Sequence, residues 1–573
     1  MKKPKKSDGF RIEKHARRED MQTEGLKKAV PMGLTEEEVQ ASACELGAVT
    51  PSEVREYDIV VAGAGAAGVP AAGWAAELGA RVALLQKEAT VVSQGNCGSA
   101  IIKSRSTEAG IAKWIHHTNS LCDWRADVKQ LRAYAEHSEE AMIWFWNRAG
   151  LTKETEYGDG SKVDSNTDCA SLMNDGDKLC AFRCTSGDFT GTWRERGNTY
   201  EYGDDHCYFW APWVGPKPLN VGNALRKIVD NIKKDHENLD TFFQTTAVKL
   251  ITKDGRVTGV IGKNAEGKYI EFRASKAVIL ATGDYTNNAA MVERWCPDIA
   301  EFDKKQHGKT GDGHILAMSA GAHMEPQGHT KMMHDFDSAL MWEEPFLYLN
   351  MNGERFTNEY TGFVYMGNLL KYQPAYKGSM LDPEHREKGS KGWYCSIYDS
   401  DYMNWPAESF VEGKIPPVVM QKFIPGAVAD PQGVFKNLID LHCCDTLEQL
   451  AKELDIPYET MKASIDRYNE LCDKGCDDDF GKPAQYLHKI EKAPFWGARK
   501  HIRVSAGVSG VVINENGQAL TAEGNVIPGL YCVGNLGGPF YGGADYPFHQ
   551  TGLSLGRCYT FGMIAAKHAL GKM

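Results

Sequence analysis

The apolar and polar positions near the start of the chain follow a strand pattern, then a helix pattern, then a strand pattern again. The largely apolar run Asp58–Ala62 leads into a glycine-rich turn, and a helix-like run over Val69–Gly79 and a second apolar run, Arg81–Leu85, follow it. Short continuous apolar runs are typical of strands buried on both faces, as in parallel sheets covered by helices. The order of these segments therefore predicts an α/β fold.

The turn between the first strand and the helix contains three glycines with the spacing Gly-x-Gly-x-x-Gly. Gly63 permits a tight turn, Gly65 lets the backbone approach a pyrophosphate, and Gly68 lets the helix lie against the strand. The helix N-terminus offers N–H groups and a partial positive charge to phosphates. The turn therefore predicts a Rossmann-like, dinucleotide-binding domain. The alternative, an ordinary glycine-rich turn, does not explain why strand, helix and second strand all stand in their expected places.

The residue expected to bind the ribose departs from the usual pattern. Dinucleotide-binding units place an acidic side chain about 20 residues after the motif, and Gln86 stands at the end of the second strand in this chain. A glutamine amide can still hydrogen-bond a hydroxyl group, and Glu88 is the alternative. The ribose contact is therefore left open between these two residues.

The rest of the chain predicts two kinds of domain. Further helices are predicted over 35–46, 125–150, 220–236, 288–295, 446–454, 458–474 and 551–570. Further strands are predicted over 248–251, 257–261, 277–283, 347–350, 393–398 and 529–535. Because residues 326–498 mix short strands with helices, we predict an inserted α+β domain there. It divides the nucleotide-binding domain into 55–325 and 499–573, after an N-terminal extension over 1–54.

Residues 151–218 form a long segment without a clear period. They are rich in Gly, Asp, Cys and aromatic residues. Long irregular stretches inside compact proteins are usually functional or poorly ordered. The many aromatic residues favour an ordered excursion that lines a site.

Composition excludes several classes of function. The chain has 573 residues, 42% of them hydrophobic and 25% charged, and a formal net charge of −11, as expected of a globular protein without a nucleic-acid surface. No apolar run reaches the roughly 20 residues that span a bilayer. The basic N-terminus is not followed by the apolar stretch of a secretion signal. We expect a cytoplasmic protein, with a removed export signal as the alternative.

The cysteines do not form a recognisable metal-binding pattern. There are 15 of them, but no Cys-x-x-Cys pair occurs. Two pairs, Cys180 with Cys184 and Cys472 with Cys476, are spaced to share a helix face, yet neither pair has nearby partners for a zinc site. We therefore predict no metal and reduced, mostly structural cysteines, as in a reducing cytosol of a low-oxygen cell.

Six motifs occur along the chain in one order. They are Gly63-x-Gly65-x-x-Gly68, Gly95-Asn96-Cys97, Ala281-Thr282-Gly283, Thr310-Gly311-Asp312-Gly313-His314, Asn352-Gly353-Glu354-Arg355 through Glu359, and Gly529-Leu530-Tyr531-Cys532-Val533-Gly534. In this order they resemble the fumarate reductase/succinate dehydrogenase flavoprotein superfamily over residues 55–573. The resemblance implies FAD as the cofactor. It also implies a Rossmann-like FAD-binding domain that is interrupted by an inserted α+β capping domain.

The resemblance further implies which residues surround FAD. Gly95–Gly98 would pass close to the flavin and the pyrophosphate, Asp312 would lie near the ribityl and phosphate region, and the helix over 551–570 would direct its N-terminus at the flavin N1 and C2 carbonyl. The implied cofactor-binding residues are Gly63, Gly65, Ala66, Ala67, Gly68, Gln86, Lys87, Gly95, Asn96, Cys97, Gly98, Ser99, Ala247, Val248, Ala281, Thr282, Gly283, Asp312, Gly534, Asn535, Gly552, Leu553, Ser554 and Leu555.

The chain departs from the fumarate reductases where they hold their substrate. Phe363 stands in place of the arginine that serves as the acid, and His549 stands in place of an arginine that binds a substrate carboxylate. Without these arginines the bidentate grip on carboxylates is lost. A small dicarboxylate is therefore disfavoured, and a larger, more neutral enone-like substrate fits better. The segment 541–547 looks like the tyrosine-proline stretch of ketosteroid dehydrogenases, whose tyrosines act as acid, base or carbonyl donor.

Six residues are candidates for the proton donor or the oxyanion partner. They are His549, Tyr546, Tyr365, Tyr360, His334 and Arg355. His549 is favoured because it precedes the predicted flavin-facing helix, whereas Arg355 is expected to organise the capping domain more than to do chemistry. Any single tyrosine among them is more commonly a core or surface aromatic than a catalytic group.

These features predict an FAD-dependent reductase of an activated C=C bond in a small molecule. The alternatives are a dehydrogenase that desaturates a ketone or steroid-like ring, and a non-catalytic flavin-binding protein. The sequence contains one Gly-x-Gly-x-x-Gly unit and no haem or iron–sulfur ligands. The electrons could therefore come from a separate reductase, from free reduced flavin or from a diffusing dinucleotide, and these three sources stay open.

Overall fold

The computed structural model describes residues 33–95, 97–150, 205–211, 221–334, 341, 344–361, 365–377, 388–406, 414, 416–421, 424, 440–548, 550 and 552–573. The predictions made for Asn96, Phe363, His549 and the cysteine pair Cys180 and Cys184 lie outside these residues. So does most of the segment 151–218.

The helices and strands of the described residues are numbered in chain order. The helices are α1 Glu36–Gln40, α2 Gly68–Glu77, α3 Glu108–Leu121, α4 Val128–Ala149, α5 Val221–Asp235, α6 Ala289–Trp295, α7 Asp312–Ser319, α8 Met366–Leu370, α9 Pro417–Met420, α10 Leu447–Leu454, α11 Tyr458–Lys474 and α12 Leu553–Ala569. The strands are β1 Glu53–Ala62, β2 Val82–Gln86, β3 Ala100–Ile101, β4 Phe209–Trp210, β5 Leu239–Phe243, β6 Thr245–Lys253, β7 Arg256–Asn264, β8 Tyr269–Leu280, β9 Lys331–His334, β10 Leu347–Leu349, β11 Trp393–Tyr398, β12 Leu441–Cys444, β13 Phe495–His501, β14 Arg503–Gly507, β15 Val511–Val512, β16 Gln518–Leu520, β17 Val526–Cys532 and β18 Gly537–Gly538.

A mainly parallel sheet forms the first domain. Its strand order is β16-β17-β8-β1-β2-β5, and the hairpin β6–β7 attaches to β8. The strands β17, β8, β1, β2 and β5 run parallel to one another, and β16 at the edge pairs antiparallel with β17. Such strands are buried on both faces, which explains the continuous apolar runs in the sequence. Helices α2 and α12 pack against each other beside this sheet.

Segments from both ends of the chain complete the same sheet. In β17 Leu530 lies opposite Val278 of β8, and in β1 Val60 lies opposite the same Val278. The strand β8 is thus held between an early strand and a late strand. The fold is therefore a Rossmann-like α/β fold whose sheet is interrupted in sequence by an inserted α+β domain.

The inserted domain contains an antiparallel sheet of four strands in the order β10-β11-β13-β12. Helix α10 packs against β12 and β13, and apolar side chains of α11 belong to the same buried core. Its buried core includes Leu349, Ile397, Leu450, Met461 and Ile465. An antiparallel sheet with helices on one face is the α+β arrangement that mixed short strands and helices predict.

Most predicted elements are confirmed, and the differences lie at their ends. The helix 458–474 and the strand 393–398 have the predicted bounds. The predicted strand 529–535 ends early, because Gly534 has a φ of +71° and begins a 3₁₀ turn over Gly534–Leu536. The helix predicted over 35–46 is limited to α1, which Thr35 caps.

The cysteines Cys472 and Cys476 do not lie on the same helix. Cys472 lies in α11, but this helix ends at Lys474 because Gly475 adopts the left-handed conformation there. Cys476 therefore lies beyond the helix and does not share a helix face with Cys472.

The described helices include none that is both long and apolar enough to cross a membrane. Within the described part of the chain, no three potential ligands are grouped closely enough to hold a metal ion.

Candidate active site

The glycine-rich turn lies at the carboxyl ends of β1 and β8, where parallel sheets bind ligands. A Cβ atom on Gly63 would lie 2.4 Å from the carbonyl oxygen of Ala281, and one on Gly68 would lie 1.7 Å from the carbonyl oxygen of Gly63. The turn and the Ala281-Thr282-Gly283 segment therefore touch backbone to backbone. A Cβ atom on Gly65, by contrast, would contact only the Val92 carbonyl oxygen, at 3.4 Å. The backbone of Gly65 therefore faces open space.

The N-terminus of α2 and one hydroxyl group in this crevice offer bonding capacity to a ligand. Ala67, the N-cap of α2, makes no side-chain capping hydrogen bond. At the start of α12, by contrast, the Leu553 and Ser554 N–H groups already donate to the Gln550 carbonyl and the Tyr546 hydroxyl. The Thr282 Oγ1 atom is buried and has no hydrogen-bond partner among the described residues. Exposed N–H groups at a helix N-terminus favour an anion. The crevice therefore fits the phosphates and polar edges of a dinucleotide.

The segment that follows β2 meets the start of α12. The Ser99 N–H donates to the Gly552 carbonyl at 3.0 Å, and the Ser99 hydroxyl lies 2.9 Å from the Tyr134 hydroxyl. A Cβ on Gly552 would lie 2.7 Å from the Cys97 Sγ atom, and one on Gly98 would lie 2.6 Å from the Tyr559 ring. The structure thus brings the predicted flavin residues of the two distant segments together.

Asp312 and Lys87, both predicted near the cofactor, bind each other. The Lys87 Nζ atom lies 3.2 Å from Asp312 Oδ2, while Asp312 Oδ1 accepts from the Thr310 hydroxyl at 2.8 Å and from the Ala43 N–H at 3.0 Å. The carboxylate therefore ties the N-terminal extension and β2 to the start of α7. Its contact with a cofactor stays a prediction.

The remaining predicted cofactor residues lie on neighbouring elements. Gln86 is buried at the end of β2, and its Oε1 accepts from the Glu88 N–H at 3.4 Å. Ala247 and Val248 are buried on β6. Gly95 lies near Leu555, since a Cβ there would be 3.1 Å from the Leu555 Cδ1 atom. Gly534 and Asn535 follow β17 and contact α12 through hydrogen bonds.

Tyr546 lies at the N-terminus of α12. Its hydroxyl oxygen accepts a hydrogen bond from the Ser554 N–H at 2.9 Å. The ring centroid lies 5.2 Å from that of Tyr541 and 4.9 Å from that of Phe548. Complete burial holds the pKa of the Tyr546 hydroxyl well above its usual range, with the nearby Tyr541 adding to the effect. Tyr546 therefore keeps its proton across the physiological pH range.

His334 joins the same group of side chains through Phe548. The two rings are 5.4 Å apart and nearly perpendicular. The Lys305 Nζ atom lies 2.9 Å from His334 Nδ1. Because an ammonium group only donates, this contact assigns the acceptor role to Nδ1 and the proton to Nε2. Two predicted catalytic candidates, Tyr546 and His334, thus both contact the ring of Phe548.

The other described candidates lie elsewhere. The Arg355 guanidinium is held by Glu359 at 2.8 Å and by Asp477 at 2.7 Å inside the capping domain. Tyr360 stacks on Tyr486 with centroids 4.8 Å apart. Tyr365 is 42% exposed. Partial burial raises its pKa, and the charges of Asp545 and Asp123 raise it further.

The segment that carries Tyr546 is held from both sides by residues that sequence reasoning missed. The Lys331 N–H donates to the Ala544 carbonyl, and the Tyr546 N–H donates to the Lys331 carbonyl, both at 3.0 Å. The Lys331 ammonium lies 2.9 Å from Asp545, and the Asn368 amide of the capping domain donates to Asp545 at 2.7 Å. In the sequence, only the acidic residue Asp545, directly before Tyr546, could have indicated these contacts.

Comparison with known proteins shows the family of this chain. The family described as FAD binding domain matches residues 58–546. The vinyl phenol reductase of Lactiplantibacillus plantarum is 27% identical over 545 residues, which cover 90% of this chain and 96% of that protein.

Two solved structures share the fold. The open conformation of a flavocytochrome c3 fumarate reductase matches with a TM-score of 0.60 at 20% identity, over 94% of this chain and 81% of that chain. The 3-ketosteroid delta1-dehydrogenase from Sterolibacterium denitrificans, in complex with 1,4-androstadiene-3,17-dione, matches with a TM-score of 0.58 at 20% identity, over 90% of this chain and 100% of that chain.

Proposed function

The chain belongs to the FAD binding domain family and is an FAD-dependent oxidoreductase acting on carbon–carbon bonds, and from this premise we propose that it reduces the activated C=C bond of an enone- or enoate-like molecule. When bound, FAD supplies the hydride for one carbon of the double bond. The residues of this chain then have three tasks: to orient the substrate, to stabilise charge on its activating oxygen, and to deliver a proton.

The environment of the Tyr546 hydroxyl is the observation that carries this proposal. A hydroxyl has one donor and two acceptor sites. Because the oxygen accepts from the Ser554 N–H, its own proton is not used in that contact. The raised pKa keeps the proton in place until an acceptor is present. Tyr546 is therefore suited to donate to the oxygen or carbon that gains negative charge.

The start of α12 also favours the product of that proton transfer. A phenolate at Tyr546 would face the Ser554 N–H and the positive end of the helix. His334, with its proton on Nε2, is the second donor that we propose for this site. His549 stays a proposed catalytic residue from the sequence alone.

The side chains around Tyr546 support a mostly apolar substrate. Tyr541 and Phe548 contact its ring. By the family resemblance, Phe363 and His549 stand where fumarate reductases have arginines. The vinyl phenol reductase to which this chain is similar is named for a substrate that is an aromatic alkene. We propose this substrate class over small dicarboxylates, and we propose an electron donor outside this chain, since the sequence contains one nucleotide-binding turn.

An anaerobic acceptor panel tests the proposal. The FAD-loaded protein is reduced with dithionite and mixed separately with an enone, 4-vinylphenol, acrylate and fumarate, while the flavin absorbance reports reoxidation. We expect an enone, vinyl phenol or acrylate to reoxidise the flavin at least roughly tenfold faster than fumarate, because the bidentate carboxylate grip is missing. Fastest reoxidation by fumarate would show that the proposed substrate class is wrong. No reoxidation by any acceptor would support a flavin-binding role without catalysis.

The reverse reaction, desaturation of a ketone or steroid-like ring, is the second candidate. It is favoured by the buried pair Tyr541 and Tyr546, because the Tyr541 hydroxyl has no hydrogen-bond partner among the described residues. A pair of tyrosines can polarise a carbonyl and remove a proton. Mixing the oxidised protein with a saturated 3-ketosteroid separates the two directions, since bleaching of the flavin would favour the dehydrogenase.

A further inference from the structure

A buried arginine lies one turn inside the helix that faces the cofactor crevice. Arg557 on α12 is 2% exposed. Its guanidinium donates to the carbonyl oxygens of Gly534 at 2.7 Å, Gly537 at 3.2 Å and Val508 at 3.4 Å, and to Asn535 Oδ1 at 3.4 Å. All four acceptors are neutral.

No carboxylate among the described residues lies within 4.0 Å of this guanidinium. The rings of Tyr541 and Phe540 face it instead, with their centroids 4.9 Å and 5.4 Å from Cζ. The Nε atom is buried without a hydrogen-bond partner among those residues. A buried cation without an ion-pair partner lowers stability relative to an apolar side chain of the same size. Fold stability therefore does not explain Arg557.

Glu325 is the buried acid that interacts with Arg557. Its side chain accepts from the Gly510 N–H at 3.4 Å. Burial raises the pKa of Glu325 to about 7, while hydrogen bonds from Gly510 and Ser509, and then the charges of Arg557 and Arg125, oppose that shift. The third titratable neighbour, His329, bonds the Glu325 carbonyl and stays neutral because burial lowers its pKa to about 4. Below neutral pH the acid is mostly protonated, and the charge of Arg557 is not offset.

Arg557 also decides which end of the Asn535 amide is available to a ligand. Asn535 Oδ1 accepts from the Arg557 guanidinium and, at 3.5 Å, from the Ser554 hydroxyl. Both donors approach the oxygen, so the hydrogen-bond network assigns the amide nitrogen to the remaining side. Ser554 lies in the first turn of α12, beside the helix N-terminus.

We propose that Arg557 tunes the bound FAD: it raises the reduction potential of the flavin and holds Asn535 with its amide nitrogen as a donor to the cofactor. Reduction adds negative charge to the flavin, and a fixed cation in a poorly solvated site stabilises that charge. The inference rests on FAD binding between α2 and α12 and does not depend on the substrate.

The reduction potential of the FAD-loaded protein, measured anaerobically against a reference dye without substrate, tests this role. We expect Arg557→Met to shift the oxidised–reduced equilibrium about tenfold toward the oxidised form, which is about 30 mV for two electrons. Arg557→Lys keeps the charge and should stay within roughly threefold of the wild type by the same conversion. A purely structural role predicts equal effects of both substitutions, and a wild-type potential in Arg557→Met would overturn the proposal.

A second variant keeps the test decisive if Arg557→Met does not retain FAD. Glu325→Gln preserves shape and removes the acid that offsets Arg557 above neutral pH. We expect its potential to exceed that of the wild type at pH 8 and to match it at pH 6. Identical potentials of both proteins at both pH values would show that the charge of Arg557 does not reach the flavin.

Discussion

At the residue scale, the hydroxyl of Tyr546 distinguishes the candidate site. Its oxygen is bonded by the Ser554 N–H, and its ring is fixed between Tyr541 and Phe548. Tyr360, a candidate with the same side chain, stacks on Tyr486 in the capping domain. The two tyrosines provide a matched pair for experiments.

We predict that Tyr546→Phe slows reoxidation of the reduced flavin by its best acceptor about 100-fold, because a positioned acid contributes about 10²–10⁴ to the rate. The ring packing is kept, so FAD content should not change. Anaerobic stopped-flow absorbance measures the rate. Tyr360→Phe is the control and should react at the wild-type rate. The reverse result would assign the proton donor to Tyr360.

Glu325 gives a prediction on stability and pH. Burial raises its pKa from 4.5 to about 7, so the folded protein binds this proton more tightly than the unfolded chain does. Wild-type stability contributed by this group is complete below pH 4.5 and is lost as the pH rises through 7. The Glu325→Gln variant has no titratable group at this position, so it does not lose this stability as the pH rises.

The free energy of unfolding of Glu325→Gln relative to the wild type should therefore rise by about 3 kcal/mol between pH 4 and pH 8. Urea denaturation at the two pH values measures it. Glu293→Gln, at an exposed position, is the control and should follow the wild-type pH dependence. An equal pH dependence in Glu325→Gln and the wild type would contradict the raised pKa.

At the scale of elements, the contact of β1 and α2 with the end of β8 determines whether the crevice exists. This contact has no space for a side chain at Gly68, since a Cβ there would lie 1.7 Å from the Gly63 carbonyl oxygen and 3.2 Å from the Ala281 Cβ. The backbone oxygen cannot move without opening the turn.

We predict that Gly68→Ala weakens FAD binding more than tenfold, or by more than about 1.4 kcal/mol, because the turn and the α2 N-terminus move apart. The ratio of flavin to protein after purification, followed by titration of the apoprotein with FAD, measures this. Gly47→Ala is the control, since nothing lies within 4 Å of a Cβ there. Tight FAD binding by Gly68→Ala would show that the turn does not hold the cofactor.

At the scale of the whole molecule, the capping domain is fastened to the segment that carries Tyr546. Asn368, on α8, donates to Asp545 at 2.7 Å, and Lys331 lies 2.9 Å from the same carboxylate and 3.8 Å from Asp298. Lys371, directly after α8, also pairs with Asp298. The position of the capping domain and the position of Tyr546 are thus coupled through two carboxylates.

We predict that Asn368→Ala lowers kcat/KM for the best acceptor about tenfold, because a hydrogen bond to a charged group contributes about 1.5–3 kcal/mol. The reduction potential of the flavin should not change, since Arg557 is untouched. Steady-state kinetics and the dye measurement together test this. Tyr372→Phe, next to the same helix and 79% exposed, should behave as the wild type. Unchanged kinetics in Asn368→Ala would show that the coupling is not needed.

The fold could be predicted where local interactions decide it. The tight turn over 63–68 and the helix 458–474 depend on residues a few positions apart. Both are present as predicted. Element ends were harder to predict, as the early end of β17 shows, because the left-handed Gly534 interrupts an otherwise apolar run.

The candidate site could be predicted only in part, because its contacts join distant parts of the chain. His334 and Tyr546 were both candidates, but only the structure places Phe548 between them. The Arg355 guanidinium pairs with two carboxylates, those of Glu359 and Asp477. Glu359 is four residues away in the sequence, but Asp477 is more than a hundred residues away and could not be expected from the sequence.

The sequence by itself determined the nucleotide-binding turn and the types of most elements, because each of these is a property of short segments. Only the tertiary structure decided that β17 completes the sheet of β1 and β8, and that Ser554 meets Tyr546. It also left Arg557 buried among neutral acceptors. The physical reason is that pairing, burial and electrostatic environment arise between side chains that are brought together only when the whole chain has folded.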